Sequence, residues 1–406
     1  MSSCDWSTVN IGSICDGIFD GPHATPTKTD SGPIFLGISN LNNGRIDLTG
    51  AEHLSEEDFV RWTRRVVPQE SDIVFSYETR LGETAMIPRG LRCCLGRRMA
   101  LMRPNRKKVE PRFLLYAYMG PEFQNILRKH TIPGSTVDRI PLTEFPRFPI
   151  RIPPLPQQRA IATILGALDD KIELNRRMNE TLEAMARAIF TSWFVDFDPV
   201  RAKMEGRQPF GMDADTAALF PESLAPSSIG EIPGDWKVSP IGKIVEFAYG
   251  KALKADVRRH GTIPVYGSNG QVGWHDEALA KGSGIVIGRK GNAGTVTWVP
   301  SDFFPIDTTF YIVPTATIQS MYYLFYALSI LELASLGADS AVPGLNRNIA
   351  YMTEMLAPPM TIIGAFEEIV APLLAHVRVN VEEIRTLSAL RDVLLPKLLS
   401  GEIRAA

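Results

Sequence analysis

The chain has 406 residues, 45% of them apolar, which is enough for two or three separately cored domains. Its 43 basic and 45 acidic side chains give a formal charge of −2. This excludes a protein that is basic throughout, but not a locally basic face that holds a phosphate backbone. No run approaches about 18 uninterrupted apolar residues, so no membrane span is expected. The opening MSSCDWSTVN lacks a basic segment followed by an apolar run, so no secretory signal is expected. Cys4, Cys15, Cys93 and Cys94 form no Cys-x-x-Cys pair or zinc spacing, and vicinal Cys93 and Cys94 are poorly placed for a disulfide. A reduced, cytoplasmic setting fits best.

Residues 1–152 read as a first globular unit. Strand-like runs at 33–38, 72–75 and 85–87 are separated by turn clusters such as Asn42, Asn43 and Gly44. A helix is predicted over 111–129, with Phe113, Leu114, Tyr116, Ala117, Phe123 and Leu127 on one face. A turn at Gly134, Ser135 and Thr136 precedes a strand-like entry into the next element. Between Arg80 and Arg112 ten Lys or Arg face only Glu83 and Glu110, as either a solvated basic surface or a phosphate-binding face.

Residues 153–195 read as a long helix. Ile161, Leu165, Leu168, Ile172, Asn175, Asn179, Leu182, Ala186 and Ile189 recur at alternating steps of four and three, the heptad seam of a coiled coil. Pro156 suits the first turn, where its missing N–H would be unpaired anyway. At about 1.5 Å per residue the seam is about 43 Å long, and so narrow a stripe needs a partner helix. Residues 196–235 follow as a connector, with Pro199, Pro209, Pro221, Pro226 and Pro233. It is expected to be extended chain with at most one short helical turn.

Residues 236–357 repeat the plan of the first unit. Trp236 matches Trp6, Ile241 and Gly242 match Ile11 and Gly12, and the run 284–287 with its Gly-Asn-Ala-Gly turn matches the 72–86 hairpin. Residues 358–406 hold a second long helix with the seam Phe366, Val370, Leu373, Val377, Asn380, Ile384, Leu387, Arg391 and Leu394. Each position lies 205 residues after its counterpart, and Asn175 falls on Asn380. A constant offset, together with a polar residue at the same seam position, argues against two unrelated core helices. The expected fold is α+β. Two similar globular domains, each a mixed sheet plus helices, are separated by two long helices in an intramolecular antiparallel coiled coil with pseudo-twofold symmetry.

Catalytic motifs are not found. Gly242-Lys243 and Gly250-Lys251 lack the upstream Gly and the Ser/Thr of a P-loop. Pro153-Pro154 and Pro358-Pro359 lack the aromatic residue that grips a flipped base. The six histidines are scattered without metal spacing. Side chains able to read bases sit instead in exposed turns. In the first unit these are Thr79, Arg80, Ser135 and Thr136. In the second they are Ser268, Asn269, Arg289, Lys290, Asn292, Asn346 and Arg347. Taken singly, each reads more readily as a turn residue or a phosphate contact, and the expectation attaches to the loops rather than to individual side chains.

The segments PPLPQQRAIATILGALDDKIELNRRMNETLE, SWFVDFDPV and LLPKLLSGEI closely resemble the conserved regions of specificity subunits of type I restriction-modification systems. The resemblance implies that each globular unit is a target recognition domain reading one half of a split DNA site. It implies a coil that spaces the halves and docks two modification subunits, which methylate adenine at N6. Restriction subunits with translocase and nuclease activity would join that core. The chain itself would be non-catalytic, with S-adenosylmethionine, ATP and Mg held by the partner subunits. A stand-alone methyltransferase or nuclease, and a scaffold that has lost DNA binding, are the alternatives.

Overall fold

The structure, a computed structural model, describes residues 6–134, 137–315, 318–336 and 344–405. The backbone divides into two compact units, Met1–Leu174 with Glu383–Ala406, and Asn175–Glu382.

The first unit contains β1 (Ser7–Asn10), β2 (Cys15–Asp20), β3 (Lys28–Leu36), β4 (Leu41–Asn42), β5 (Arg45–Ile46), β6 (Glu52–Leu54) and α1 (Glu56–Trp62). These are followed by β7 (Ile73–Ser76), β8 (Thr84–Met86), β9 (Cys93–Leu95), β10 (Met99–Pro104), α2 (Pro111–Met119), α3 (Pro121–His130) and β11 (Pro149–Ile152). An antiparallel sheet has the order β2-β10-β7-β8. A second sheet, β6-β3-β9, joins β3 antiparallel to β6 and parallel to β9. Strand β1 pairs with β11 and brings the two ends of this stretch together. The turn cluster at Asn43 and Gly44 closes the β4–β5 hairpin with both residues at positive φ (49° and 86°), the geometry that favours Asn-Gly in two-residue hairpins.

The single helix expected over 111–129 is two helices. Pro121 drives the residue before it out of the α region, and Gly120 adopts φ −64°, ψ 150° as the joint. The basic stretch from Arg80 to Arg112 is not one face either. Arg92 pairs with Glu56, Arg103 forks onto buried Asp72 at 2.7 and 2.9 Å, and Arg112 reaches Asp170. Cys93 and Cys94 are free thiols buried in β9, and burial pushes both up to about 12. At pH 8 the thiolate fraction is then about one in ten thousand. Native alkylation of both by iodoacetamide is expected to run at least about a hundredfold slower than in urea. Peptide mass mapping checks this, and fast native labelling would contradict the burial of β9.

Helix α4 (Leu155–Phe194) has 40 residues, about 60 Å, and outruns the seam at both ends. Within the first unit Ile161, Ala162 and Leu165 enter the core beside Phe113 and Ile150. After α4 the connector is more ordered than expected: α5 (Asp198–Met204), α6 (Ala214–Ala218) and the hairpin β12 (Leu224–Ser227)–β13 (Gly230–Pro233). Its prolines open α5 and border the hairpin, while Phe197, Val200 and Phe220 bury themselves in the second unit's core. Apolar anchors at such spacing give the segment tertiary order that its composition does not suggest.

The second unit continues with β14 (Lys237–Pro240), α7 (Ile241–Ile244), β15 (Val245–Tyr249), β16 (Ile263–Gly267), β17 (Gly270–His275), β18 (Gly284–Gly288) and β19 (Val296–Val299). Then come β20 (Phe304–Pro305), β21 (Thr309–Pro314), α8 (Met321–Ser329), α9 (Arg347–Met352), β22 (Glu354–Ala357) and α10 (Met360–Ser400). Its sheets run β15-β21-β18-β19 and β17-β16-β20, with β16 parallel to β20, and β14 pairs with β22. This repeats the first unit's topology except for the β4–β5 hairpin, which has no counterpart among the described strands.

Inside each unit a segment of α4 runs antiparallel to a segment of α10. In the first, Lys171 meets Glu383 at 3.2 Å and Asp169 meets Arg391 at 3.0 Å. In the second, Asn380 donates to Asn179 Oδ1 at 2.8 Å, and Phe190 packs on Phe366. The seam is inward. Ile161, Leu165, Ile172, Asn175, Phe366, Val370 and Asn380 are buried, while Leu168, Leu182, Ile189, Leu373, Val377, Ile384, Leu387 and Leu394 are half-buried. Arg391 occupies its seam position by bonding Asp169, whose other oxygen accepts from the Tyr116 hydroxyl at 2.6 Å. By length and composition α10 is apolar enough to cross a bilayer, with a window of mean hydropathy 1.5. Here Ile362, Ile363, Phe366 and Val370 lie in the second unit's core and Leu398 in the first's, so it is a core and coil helix.

Candidate nucleic-acid interface

In each unit the sheet topology brings the same loops to one end of the four-stranded sheet. In the first unit the β7–β8 turn meets the chain after α3: the Ile140 amide donates to the Tyr77 carbonyl at 2.8 Å, and Glu78 bridges Arg139. The loop before β10 joins them, because the Tyr77 amide donates to the Arg98 carbonyl at 3.1 Å. The second unit repeats this junction at matching positions. The Leu345 amide donates to the Arg289 carbonyl at 2.9 Å, Lys290 bridges Gly344, and the Arg289 amide donates to the Thr308 carbonyl at 2.9 Å. The backbone scaffold is shared, and the side chains on it differ.

On the first scaffold Thr79 and Arg80 are exposed at the tip of the β7–β8 turn. Thr79 sits at φ 70° and Arg98 at φ 66°, left-handed conformations that are uncommon for non-glycine residues and worst for a β-branched one. They hold each other: Arg98 Nη1 donates to Thr79 Oγ1 at 3.1 Å. Arg80 pairs with Glu83 at 2.8 Å, and Arg98 with Glu78 at 3.1 Å. Exposed Arg97 and Arg139 lie on the adjoining loops. Ser135 and Thr136 lie outside the described residues.

The second scaffold is built on stacking. Tyr249, at the end of β15 and 49% exposed, has the Arg289 guanidinium 4.9 Å from its ring centroid and that of Arg347 at 4.7 Å. Arg289 also lies over Phe310, and Arg347 over Tyr351. Arg289 Nη1 donates to the Asp307 carbonyl at 3.1 Å. Lys290 and Asn292 are exposed at the turn, and Ser268 abuts it, its Oγ about 3.3 Å from where a Cβ on Gly291 would stand. Asn269 is exposed beside Ser268. Asn346 has a structural duty as well: its Oδ1 caps α9 by accepting from the Asn348 and Ile349 amides. One unit thus offers arginines tied to carboxylates, the other arginines held on aromatic faces.

Sequence reasoning named the turns but missed Arg97, Arg98, Arg139 and Tyr249. Arg97 and Arg98 were hidden in a basic run in which Arg92, Arg103 and Arg112 are taken by Glu56, Asp72 and Asp170. Tyr249 carries no periodic signal, and only its place between two guanidiniums marks it. Among the described residues no group of three or more His, Cys, Asp or Glu is arranged to hold a metal ion.

Comparison with known proteins gives these loops a context. The profile of the type I restriction modification DNA specificity domain matches residues 4–184 and again 233–348. The chain is 26% identical over 377 residues to the type I restriction enzyme HindI specificity subunit of Haemophilus influenzae, covering 75% of this chain and 80% of that one. It is 23% identical over 385 residues to the MjaIX specificity subunit of Methanocaldococcus jannaschii, covering 87% and 82%. The crystal structure of the S subunit of a type I restriction-modification system from M. genitalium shares the fold at TM-score 0.59 and 17% identity, over 98% of this chain and 97% of that one. Two copies of one topology, each matched by the same DNA specificity domain, place this chain in the family of type I restriction-modification specificity subunits.

Proposed function

We propose that this chain is the DNA-reading subunit of a type I restriction-modification complex, each unit recognising one half of a bipartite double-stranded site. The observation that carries this reading is the loop junction, tied by matching backbone hydrogen bonds in the two units and different in side chains between them. A common scaffold aims loops at a groove, and divergent side chains select different base sequences. The α4–α10 coil spaces the two halves and docks the modification subunits. Methyl transfer from S-adenosylmethionine, and ATP- and Mg-dependent translocation and cleavage, belong to the partner subunits. The chain is non-catalytic and works in the cytoplasm. The test is methylation-site mapping with the chain alone and with its modification subunit. Modified adenines flanking one split sequence are expected only with both, and methyl transfer by the purified chain alone would overturn the assignment.

Thr79 provides a finer test. Replacing it with glycine relieves a left-handed conformation worth about 1–2 kcal/mol but adds freedom to the unfolded chain. Stability is therefore expected to change by less than about 1 kcal/mol in denaturant melts. The hydroxyl that holds Arg98 is lost, so affinity for the cognate site is expected to fall about tenfold. Unchanged DNA affinity in gel-shift titration would remove Thr79 and Arg98 from the recognition surface.

A further inference from the structure

The two units differ most where the outer edge of the four-stranded sheet approaches the coil. In the first unit the β4–β5 hairpin fills this place. The Gly44 amide donates to the Thr84 carbonyl at 3.0 Å, and Gly44 accepts from the Met86 amide, so the hairpin covers the edge strand β8. Gly44 is pressed so closely on α2 that a Cβ there would stand 2.7 Å from Met119 Sδ. Arg45 then reaches across to form an ion pair with Glu173 on α4. The hairpin is thus a plug between sheet edge, helix and coil, locked by one cation on the plug and one carboxylate on the coil.

Among the described residues the second unit has no such plug. Strand β16 turns through Ser268 and Asn269 directly into β17, and nothing among the described residues pairs with the outer side of β19. A cavity of about 560 Å³ lies there, walled by Trp298 of β19, Phe325 and Tyr326 of α8, and Leu374, Arg378 and Val379 of α10. A second of about 540 Å³ shares Trp298, Leu374 and Arg378 with it. Trp298 stacks on Tyr322 at 5.1 Å, giving the groove a rigid aromatic floor, and Val379 on its rim is 61% exposed. Counting 205 residues along, Glu173 of the first unit falls on Arg378. The coil residue that was an anion is here a cation, and it makes no ion pair among the described residues.

We infer that this groove is a docking site for a hairpin loop of a partner protein, carrying a carboxylate to meet Arg378 and an apolar side chain to lie on Trp298. The open side of β19 offers backbone groups to such a loop, as β8 does to the chain's own hairpin. The groove wall carries two cations, Arg187 and Arg378, and two carboxylates, Glu183 and Glu382, so the selection is by position: Arg378 stands where Glu173 meets Arg45 of the first unit's plug, and the matching place on a loop calls for a carboxylate. A nucleic-acid backbone would meet the same cation but brings no aliphatic side chain to cover the floor of Trp298, Phe325 and Leu374. The two units therefore engage their partners unequally: one supplies its own plug, the other receives one.

The inference rests on the reading of the chain as a subunit that docks modification subunits, and the test keeps the two apart. A photo-crosslinking amino acid is placed at Val379 in the full chain assembled with its modification subunit. The adduct is expected on a loop of that subunit with Asp or Glu within about three residues of the crosslink. In parallel, Arg378→Glu is expected to weaken assembly about tenfold or more, and Arg378→Gln by less, both with unchanged melting temperature. Arg378 is exposed, so neither change should disturb the fold. If the wild-type chain assembles but both variants assemble equally well, or the adduct maps to DNA or to a segment without acids, the docking site is disproved while the wider function stands. A wild-type chain that does not assemble at all overturns both.

Discussion

Replacing residues 1–152 with the corresponding unit of a related subunit is expected to change one half of the recognised DNA sequence completely and leave the other half as it was. The loops proposed as the first recognition surface, the β7–β8 turn, the Arg97–Arg98 loop and the chain around Arg139, all lie inside that segment. The exchange must end after β11 rather than inside it, because β11 pairs with β1 over Ser7 to Ile152. The donor must also accept Leu394, Leu398 and Leu399 of α10, which pack on this unit's core from the far end of the sequence. A chimera that ignores that contact is expected to lose stability. A buried leucine left without its pocket costs about 2–5 kcal/mol, on the scale of large-to-small core changes. Methylation-site mapping of a folded chimera gives the answer, and a change in both halves would show that the units do not read independently.

Lengthening both helices by one heptad is expected to lengthen the non-specific gap between the half-sites by about three base pairs, with each half-site preserved. Seven residues add about 10 Å of helix and keep the seam in phase, and B-DNA rises about 3.4 Å per base pair. The insertions belong after Leu174 in α4 and after Glu382 in α10, where neither unit's own packing is interrupted. Four residues inserted in α4 alone add about 6 Å and turn everything beyond them by about 400° relative to α10. With α10 unchanged, the two helices can then keep Asp169 on Arg391 or Asn380 on Asn179 but not both, and activity is expected to be lost. The register is guarded because a polar residue at a seam position tolerates only the alignment that satisfies it. An unchanged gap in an active seven-residue variant would show that the coil is not the spacer.

What the amino-acid sequence determined by itself was the plan: two similar units and two long helices whose seams repeat at a constant offset of 205 residues. That information is local and periodic. A heptad stripe states that a helix is long and needs a partner, and a repeated stripe supplies one. The hairpin turns that carry the candidate site were legible for the same reason, since glycine, asparagine and arginine clusters between strand-like runs mark hairpin tips.

What the tertiary structure decided depends on residues far apart in sequence. The break at Gly120 was readable in principle from Pro121, but the fate of the basic stretch was not. Arg103 and Arg112 are consumed by Asp72 and Asp170, so that only a few members, Arg80, Arg97 and Arg98, stay at the recognition loops. The connector folded where composition suggested extended chain, because Phe197, Val200 and Phe220 found a core to enter. Asn380 paired with Asn179 rather than with the counterpart that the 205-residue offset assigns to it, Asn175. Antiparallel helices set opposite each other residues whose numbers have a constant sum, whereas sequence repetition matches residues at a constant difference. The stacking of Arg289 and Arg347 on Tyr249, and the hairpin that fills the first unit but has no counterpart among the second unit's described residues, are likewise products of topology. They arise because the sheet brings distant loops to one end, and no periodicity in the chain records which loops those are.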